Sequence, residues 1–131
     1  MLSRRSTLLL AALSVAAFVA PAAAAPSQPF SAAAFEKAQK EGRSILIKVD
    51  APWCPTCKAQ GPIIDALLTT DETFKNYVVF QVDFDSQKDA LRLLNAQMQS
   101  TLIAFKGKRE MSRSVGDVKL ESIATLLKKA L

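Results

Sequence analysis

Hydrophobic and polar positions along the chain predict alternating helices and strands from residue 31 onward. Ser31 is a suitable helix N-cap and Gly42 a suitable stop, so we expect the first helix between them, ending at Glu41. Residues 45–49 are rich in β-branched side chains and nearly all apolar, which is typical of a central strand buried on both faces. Apolar residues at helical spacing then predict a second helix over about 54–68.

The second half of the chain continues this alternation and adds a hairpin, for which residues 106–109 are a suitable turn. The expected elements are a strand over 77–83, a helix over 87–96, strands over 101–105 and 110–114, and an amphipathic helix over 119–131. In the last two helices, the inner face is expected to hold Ala90, Leu93, Leu94, Ile123, Leu126, Leu127 and Leu131. The order α-β-α-β-α-β-β-α predicts an α/β fold with a mixed central sheet of about four strands and helices on both faces.

The first 25 residues have the three parts of a secretory signal. Arg4-Arg5 forms a basic start, residues 6–20 are an uncharged apolar run, and the small residues 22–25 provide a cleavage site. A bilayer-spanning helix needs about 20 apolar residues, so the run is short for a membrane span. We therefore expect a cleaved signal and a periplasmic protein, with an uncleaved N-terminal anchor as the alternative.

This leader divides the chain into three expected parts. The signal peptide covers 1–24, with cleavage after Ala23 or Ala24, and a loose leader rich in proline and alanine follows over 25–30. Residues 31–131 are long enough for one small α/β domain and too short for two.

Charge and composition exclude some classes of function. The formal net charge is +5, but the basic residues are scattered among acidic ones and do not cluster with aromatic side chains. Nucleic-acid binding therefore has little support. The chain has two cysteines and no histidine. An intrachain structural zinc site needs four Cys or His ligands and is excluded, and we expect no cofactor.

The two cysteines, Cys54 and Cys57, are separated by two residues and begin a predicted helix. A disulfide that closes so short a loop removes little unfolded-state entropy. A purely structural disulfide is therefore a poor explanation for the pair. Helix N-terminal N–H groups stabilise a thiolate, which makes Cys54 the expected nucleophile and Cys57 the resolving cysteine. The flanking Trp53, Pro55 and Thr56 favour an exposed turn over an inert buried pair.

Several motifs, from the cysteine pair to the last helix, resemble those of the thioredoxin family. They are Asp50-Ala51-Pro52-Trp53-Cys54-Pro55-Thr56-Cys57-Lys58, Pro62 in the following helix, Phe105 to Gly107 before the hairpin, and Gly116 before the last helix. The match covers about residue 31 to the C-terminus and lacks only the additional N-terminal strand of full-length thioredoxins. The resemblance implies a thioredoxin-like thiol–disulfide oxidoreductase with a redox-active Cys54–Cys57 disulfide. The Cys-Pro-Thr-Cys tetrapeptide is also similar to that of periplasmic reductants serving cytochrome c maturation.

The implied substrate groove departs from the family at Ser100, where thioredoxins have a cis-proline. A non-proline cis bond costs about 2.5–4 kcal/mol, so we expect a trans Gln99–Ser100 peptide. In the family, the backbone before that proline pairs with the bound substrate. The change signals either a different partner or the loss of a proline in a tolerant loop. The resemblance implies a groove formed by Trp53, Pro55, Thr56, Gln99, Ser100 and Thr101.

A second departure is Lys48, which stands where thioredoxins have a buried aspartate behind the second cysteine. With Gln81 on the neighbouring strand, Lys48 is a candidate proton relay or stabiliser of the Cys57 thiolate. In the alternative, its side chain extends outward to Asp50 or Asp83 and takes no part in the chemistry. The absence of histidine near the cysteines, in contrast to strongly oxidising relatives, favours a reductant or an isomerase.

The leading hypothesis is an enzyme that reduces or exchanges disulfides in extracytoplasmic proteins and is itself reduced by a membrane electron donor. We expect it to act as a monomer. Two alternatives stay open: a thioredoxin-like binding module with little redox turnover, and a dimer bridged by a metal through Cys54 and Cys57 of two chains.

Overall fold

The structure, a computed structural model, describes residues 27–131 and places five strands in one mixed sheet. In chain order these are β1 (Gln28–Pro29), β2 (Ser44–Asp50), β3 (Val78–Asp83), β4 (Thr101–Lys106) and β5 (Arg109–Val115). Their order across the sheet is β1-β3-β2-β4-β5. Strand β2 runs parallel to β3 and antiparallel to β4, so the most apolar strand is central, as its sequence predicts. The predicted signal peptide, 1–24, lies outside the described residues.

The prediction of about four strands, without an additional N-terminal strand, is wrong because β1 lies within the expected loose leader. Gln28 and Pro29 pair in parallel with β3, and the Phe30 N–H donates to the Gln81 carbonyl at 2.8 Å. Two residues are too few to show a strand period, and proline is tolerated because β1 is an edge strand. The Phe30 ring, packed 6.0 Å from that of Phe80, ties this strand to the core.

In the described residues, four α-helices connect and flank the strands: α1 (Ala32–Lys40), α2 (Pro55–Thr70), α3 (Lys88–Leu93) and α4 (Leu120–Lys128). A short 3-10 helix over Glu72–Phe74 follows α2. Helix α1 begins as predicted, with the Ser31 hydroxyl accepting a hydrogen bond from the Ala34 N–H at 3.1 Å. It stops at Gly42, whose φ of +69° suits glycine. The mixed sheet with helices on both sides confirms the predicted fold class.

Helices α1 and α3 cover one face of the sheet, and α2 and α4 cover the other. The first core contains Phe35, Ile45, Ile47, Val49, Phe80, Leu91 and Ile103. The second contains Leu46, Ile64, Leu67, Val79, Leu102, Ile123 and Leu127. Side chains along β2 alternate between these cores, which places Lys48 on the face covered by α2.

Two predicted inner-face leucines are exposed instead, Leu93 and Leu131. Helix α3 has only six residues, and its phase turns Leu91 rather than Leu93 toward the sheet. Helix α4 ends at Lys128, so helical spacing no longer directs Leu131, and Ala130 is buried in its place.

The carboxyl ends of β2 and β3 meet at one edge of the sheet, since the two strands are parallel and in register from Ile45 to Asp50. The Phe84 N–H donates to the Asp50 carbonyl at 2.9 Å and joins the chain segments that leave the two strands. The chain leaves β2 at this edge and enters α2 within a few residues. The start of α2 therefore lies beside the carboxyl ends of β2 and β3.

Candidate active site

Cys54 and Cys57 form a disulfide at the start of α2, with their Cα atoms 5.3 Å apart. Cys54 is the N-cap residue, and its Sγ accepts a hydrogen bond from the Cys57 N–H at 3.1 Å. Pro55 occupies the first turn, where a missing N–H costs little. The helix N-terminus favours negative charge, so this position stabilises a thiolate on Cys54 when the disulfide is reduced.

Both cysteines are buried, although the residues around them are not. Cys54 is 1% exposed and Cys57 is 5% exposed, packed with Ala51 against Phe84. Trp53, by contrast, is 54% exposed. The exposed turn predicted from the sequence is therefore present in the flanking side chains, whereas the sulfurs lie beneath them.

The Trp53 side chain is held over the loop that follows β3. Its Nε1 donates to Asp85 Oδ2 at 2.9 Å, and its ring meets that of Phe84 edge to face with centroids 6.2 Å apart. Sequence reasoning missed this pair because Asp85 is 32 residues away along the chain and has no periodic signal. The contact orients the indole beside the disulfide.

Asp83, the last residue of β3, shapes the loop that presents Asp85. Asp83 Oδ1 accepts hydrogen bonds from the N–H groups of Ser86 and Asp85, each at 2.9 Å. The hydrogen bonds from Ser86, and then that from Asp85, hold the pKa of the Asp83 carboxyl below its usual value. The ionised carboxylate thus stabilises the turn.

Ser100 lies behind the disulfide in an unusual backbone conformation. The chain has no cis peptide bond in residues 27–131, so the Gln99–Ser100 peptide is trans as predicted, but Ser100 has a φ of +57°. For a residue other than glycine this region costs about 1–2 kcal/mol. The Ser100 N–H donates to the Val49 carbonyl at 2.8 Å, and the Cys57 Sγ is 3.9 Å from the same oxygen.

Gln60 connects α2 to the loops beyond the disulfide. Its side chain is 2% exposed, and its Nε2 donates to the carbonyls of Ser100 at 3.1 Å and Asp117 at 2.9 Å. Sequence reasoning missed this residue, although a signal exists. Gln60 shares a helical face with Ile64 and Leu67, so a polar residue interrupts an apolar stripe.

The predicted groove residues differ in how much surface they offer. Trp53 and Pro55 are exposed, and Thr56 and Gln99 are partly buried. Thr101 is buried, and its hydroxyl donates to the Met98 carbonyl at 2.6 Å, which closes a turn over residues 98–101. Thr101 therefore stabilises the turn and offers no surface itself.

Comparison with known proteins identifies the family. A model of the thioredoxin family matches residues 27–129 of the chain. The chain belongs to the thioredoxin family. An H-type thioredoxin from Brassica campestris is 33% identical over 93 residues, covering 70% of this chain and 73% of the relative. A thioredoxin from Chlamydia trachomatis is 32% identical over 85 residues, covering 65% of this chain and 80% of the relative.

A solved structure agrees with this assignment. The crystal structure of Trxlp from Edwardsiella tarda superposes with a TM-score of 0.72 at 37% identity, covering 76% of this chain and 95% of that one. With its Cys54–Cys57 disulfide in a Trp-Cys-x-x-Cys motif, this thioredoxin-family protein is a thiol–disulfide oxidoreductase.

Lys48, at the position where the resemblance implies a buried aspartate, is itself buried on strand β2. It is 8% exposed, lies between Gln81 on β3 and Leu102 on β4, and faces the side of the sheet that α2 covers. Within residues 27–131 its side chain makes no hydrogen bond or ion pair, with Asp50 and Asp83 or with any other residue. A lysine whose stem is buried in this way can keep its Nζ in contact with solvent.

A cavity of about 310 Å³ opens beside Cys57 and contains no histidine. Its lining residues are Asp50, Ala51, Pro52, Cys57, Lys58, Gly61, Gln81 and Asp83. In the described part of the chain, no cluster of three or more Cys, His, Asp or Glu side chains is arranged to bind a metal. Among the helices of residues 27–131, none has both the length and the apolar character needed to span a bilayer.

Proposed function

We propose that this thioredoxin-family oxidoreductase is exported and that it reduces or exchanges disulfides in extracytoplasmic proteins. The observation that carries the redox proposal is the Cys54–Cys57 disulfide at the N-terminus of α2. Export is inferred from the basic, apolar and small-residue parts of residues 1–25. The two cysteines are the only ones in the chain, so dithiol chemistry within one chain has to use this pair.

In the proposed reaction, the Cys54 thiolate attacks one sulfur of a substrate disulfide. A mixed disulfide forms, and the other substrate sulfur leaves as a thiolate and takes a proton. Cys57 then attacks the Cys54 sulfur, which releases the second substrate thiol and forms the Cys54–Cys57 disulfide. Two electrons pass from the dithiol to the substrate, and a membrane electron donor would restore the dithiol by supplying two electrons, with two protons taken up.

Lys48 fits this scheme as a stabiliser of the second thiolate. It lies on the face of the sheet covered by α2, next to Val49, whose carbonyl is 3.9 Å from the Cys57 Sγ. A cation near Cys57 would favour the ionised thiol that attacks the mixed disulfide. Lys48 would carry a charge opposite to that of the aspartate found here in the family, and it would likewise activate the resolving cysteine.

Trapping tests the proposal most sharply when the full-length chain is expressed in a bacterium. A Cys57→Ser variant cannot resolve mixed disulfides, so it should accumulate covalent adducts with periplasmic proteins that a thiol reductant releases. Cys54→Ser is the matched control and should form none. Absence of adducts from Cys57→Ser, or equal adducts from both variants, would contradict the assignment of Cys54 as nucleophile.

The export proposal has its own test, which does not depend on redox activity. The intact mass of the periplasmic protein should correspond to cleavage after Ala23 or Ala24. A membrane-bound protein that keeps residues 1–24 would favour the uncleaved anchor instead.

The burial of Cys54 favours a second candidate, a binding module that docks a partner and uses its cysteines little. For such a module, the Cys54→Ser variant would retain full biological activity. For the oxidoreductase, the same variant would lose it.

A further inference from the structure

The Gln60 side chain links α2 to two loops. Its Nε2 donates to the carbonyls of Ser100 and Asp117. A side-chain amide has two N–H donors, and here each donor has a backbone carbonyl partner. Gln60 lies three residues after Cys57, so the helix that carries the cysteines also holds the loops behind them.

Three hydrogen bonds meet at Ser100 and maintain its left-handed conformation. Its N–H donates to the Val49 carbonyl, while its own carbonyl accepts from Gln60 and, at 3.0 Å, from the Gly116 N–H. Gly116, with a φ of +73°, precedes Asp117, the other acceptor for Gln60. One side chain thus joins the turn before β4 to the turn after β5.

The Gln99 backbone, immediately before this fixed point, is available for binding. Within residues 27–131, neither its N–H nor its C=O takes part in a backbone hydrogen bond outside regular elements, and Gln99 lies in no helix or strand. The Thr101 hydroxyl bond to the Met98 carbonyl closes the turn around it. A backbone donor and acceptor held in a closed turn can pair with an extended peptide segment.

We propose that Gln60 is a positioning residue that fixes the turn over residues 98–101 for pairing with the backbone of a protein substrate. The inference rests on the proposed function, because it concerns the substrate of the same disulfide. Gln60 would therefore govern the affinity for protein disulfides and leave the reactivity of Cys54 unchanged. A small disulfide without a peptide backbone would not depend on Gln60.

The test compares two substrates in three variants of the full chain. Gln60→Met keeps the length of the side chain and removes both donors, and Gln60→Glu adds a carboxylate facing two carbonyl oxygens. Gln97→Met is the matched control, because Gln97 is an exposed glutamine in the same loop. The substrates are insulin, whose disulfides lie in a peptide chain, and dithiobis(nitrobenzoate), a small aromatic disulfide.

For Gln60→Met we expect the KM for insulin to rise about tenfold with kcat nearly unchanged, as for the loss of one or two hydrogen bonds. Gln60→Glu should raise it further, whereas Gln97→Met should match the wild type. The rate with dithiobis(nitrobenzoate) should stay within about twofold of the wild-type rate in all three variants. This small disulfide has no peptide backbone that could pair with the turn. An unchanged KM for insulin, or parallel losses on both substrates, would overturn the proposal.

A measurement on unaltered Gln60 keeps the proposal testable if the Gln60 variants do not fold. In the mixed disulfide of Cys57→Ser with a substrate peptide, the NMR signals of the Gln60 side-chain amide and of the Ser100 and Gly116 N–H groups should shift. Unshifted signals would overturn the proposal. A wild-type protein that does not react with dithiobis(nitrobenzoate) would overturn the proposed function, and this inference with it.

Discussion

The Ser100 N–H donates to the Val49 carbonyl at 2.8 Å, beside the sulfur of Cys57, which lies 3.9 Å from the same oxygen. A proline in place of Ser100 has no N–H and could not make this bond. Serine at position 100 therefore adds a hydrogen bond that proline could not make. Its N–H joins the turn before β4 to the central strand, directly behind the disulfide.

Replacing Ser100 with proline should destabilise the protein. Proline restricts φ to about −65°, far from the observed +57°, and it removes the bond to Val49. We expect the free energy of unfolding of the oxidised form to fall by about 2 kcal/mol or more in chemical denaturation. Ser100→Gly is the control, since glycine keeps the N–H and adopts positive φ readily. Equal stability of the two variants would show that the bond to Val49 contributes nothing.

Removing the Asp85 carboxylate should free the Trp53 indole. Asp85→Ala loses the 2.9 Å bond from Nε1, whereas Asp85→Asn retains an acceptor oxygen. Trp53 is the only tryptophan in the chain, so its fluorescence reports this site alone. We expect a faster decay of fluorescence anisotropy in Asp85→Ala and a stability loss of about 0.5–1 kcal/mol. Identical decay in Asp85→Ala and wild type would contradict the orienting role of Asp85.

Replacing Lys48 with methionine tests whether its charge acts on the Cys57 thiolate. If Lys48 stabilises the Cys57 thiolate, it favours the reduced form, so Lys48→Met should lower the reduction potential by about 30 mV. The free energy of unfolding of the oxidised form should change by less than about 1.5 kcal/mol, because methionine keeps a similar unbranched stem at this buried position. The control is Lys108→Met, at an exposed lysine in the turn between β4 and β5, at the opposite end of β2 from the disulfide. An unchanged reduction potential would leave Lys48 without a chemical role.

Asp83 should make the stability of the protein depend on acid pH. Its pKa is lowered in the folded state by hydrogen bonds from Ser86 and then Asp85, so it contributes stability above the ordinary carboxyl pKa. That contribution is lost as the pH falls through the lowered pKa of the folded state. Urea denaturation from neutral pH to below pH 4, a range that includes the ordinary value of about 3.9, should show a shallower acid decline for Asp83→Asn than for wild type. Coincident curves would contradict this.

The sequence predicts the main helices and strands because their apolar patterns are long enough to show a period. Strand β1 has two residues, one of them a proline, and its pairing with β3 depends on tertiary contacts that no local pattern encodes. The exposure of Leu93 has a similar cause, since six residues of α3 do not fix the helix phase in advance.

The cysteine pair could be located from spacing and helix chemistry, but its surroundings depend on contacts between distant segments. Asp85 and Gln60 reach their partners over 32 and 40 or more residues. Gln60 alone leaves a trace in the sequence, as a polar position on the buried stripe of α2. The burial of the cysteine side chains follows from packing against Phe84, which only the folded chain brings there.

The central claim, that Cys54 is an activated nucleophile paired with Cys57, is tested most directly by alkylating the reduced protein at a series of pH values. Mass spectrometry of the peptides would give the rate at each cysteine. We expect Cys54 to react near neutral pH, well below the free-thiol pKa of about 8.5, while Cys57 stays largely unmodified. If neither cysteine reacts until the pH exceeds that value, or if Cys57 reacts first, the assignment is wrong.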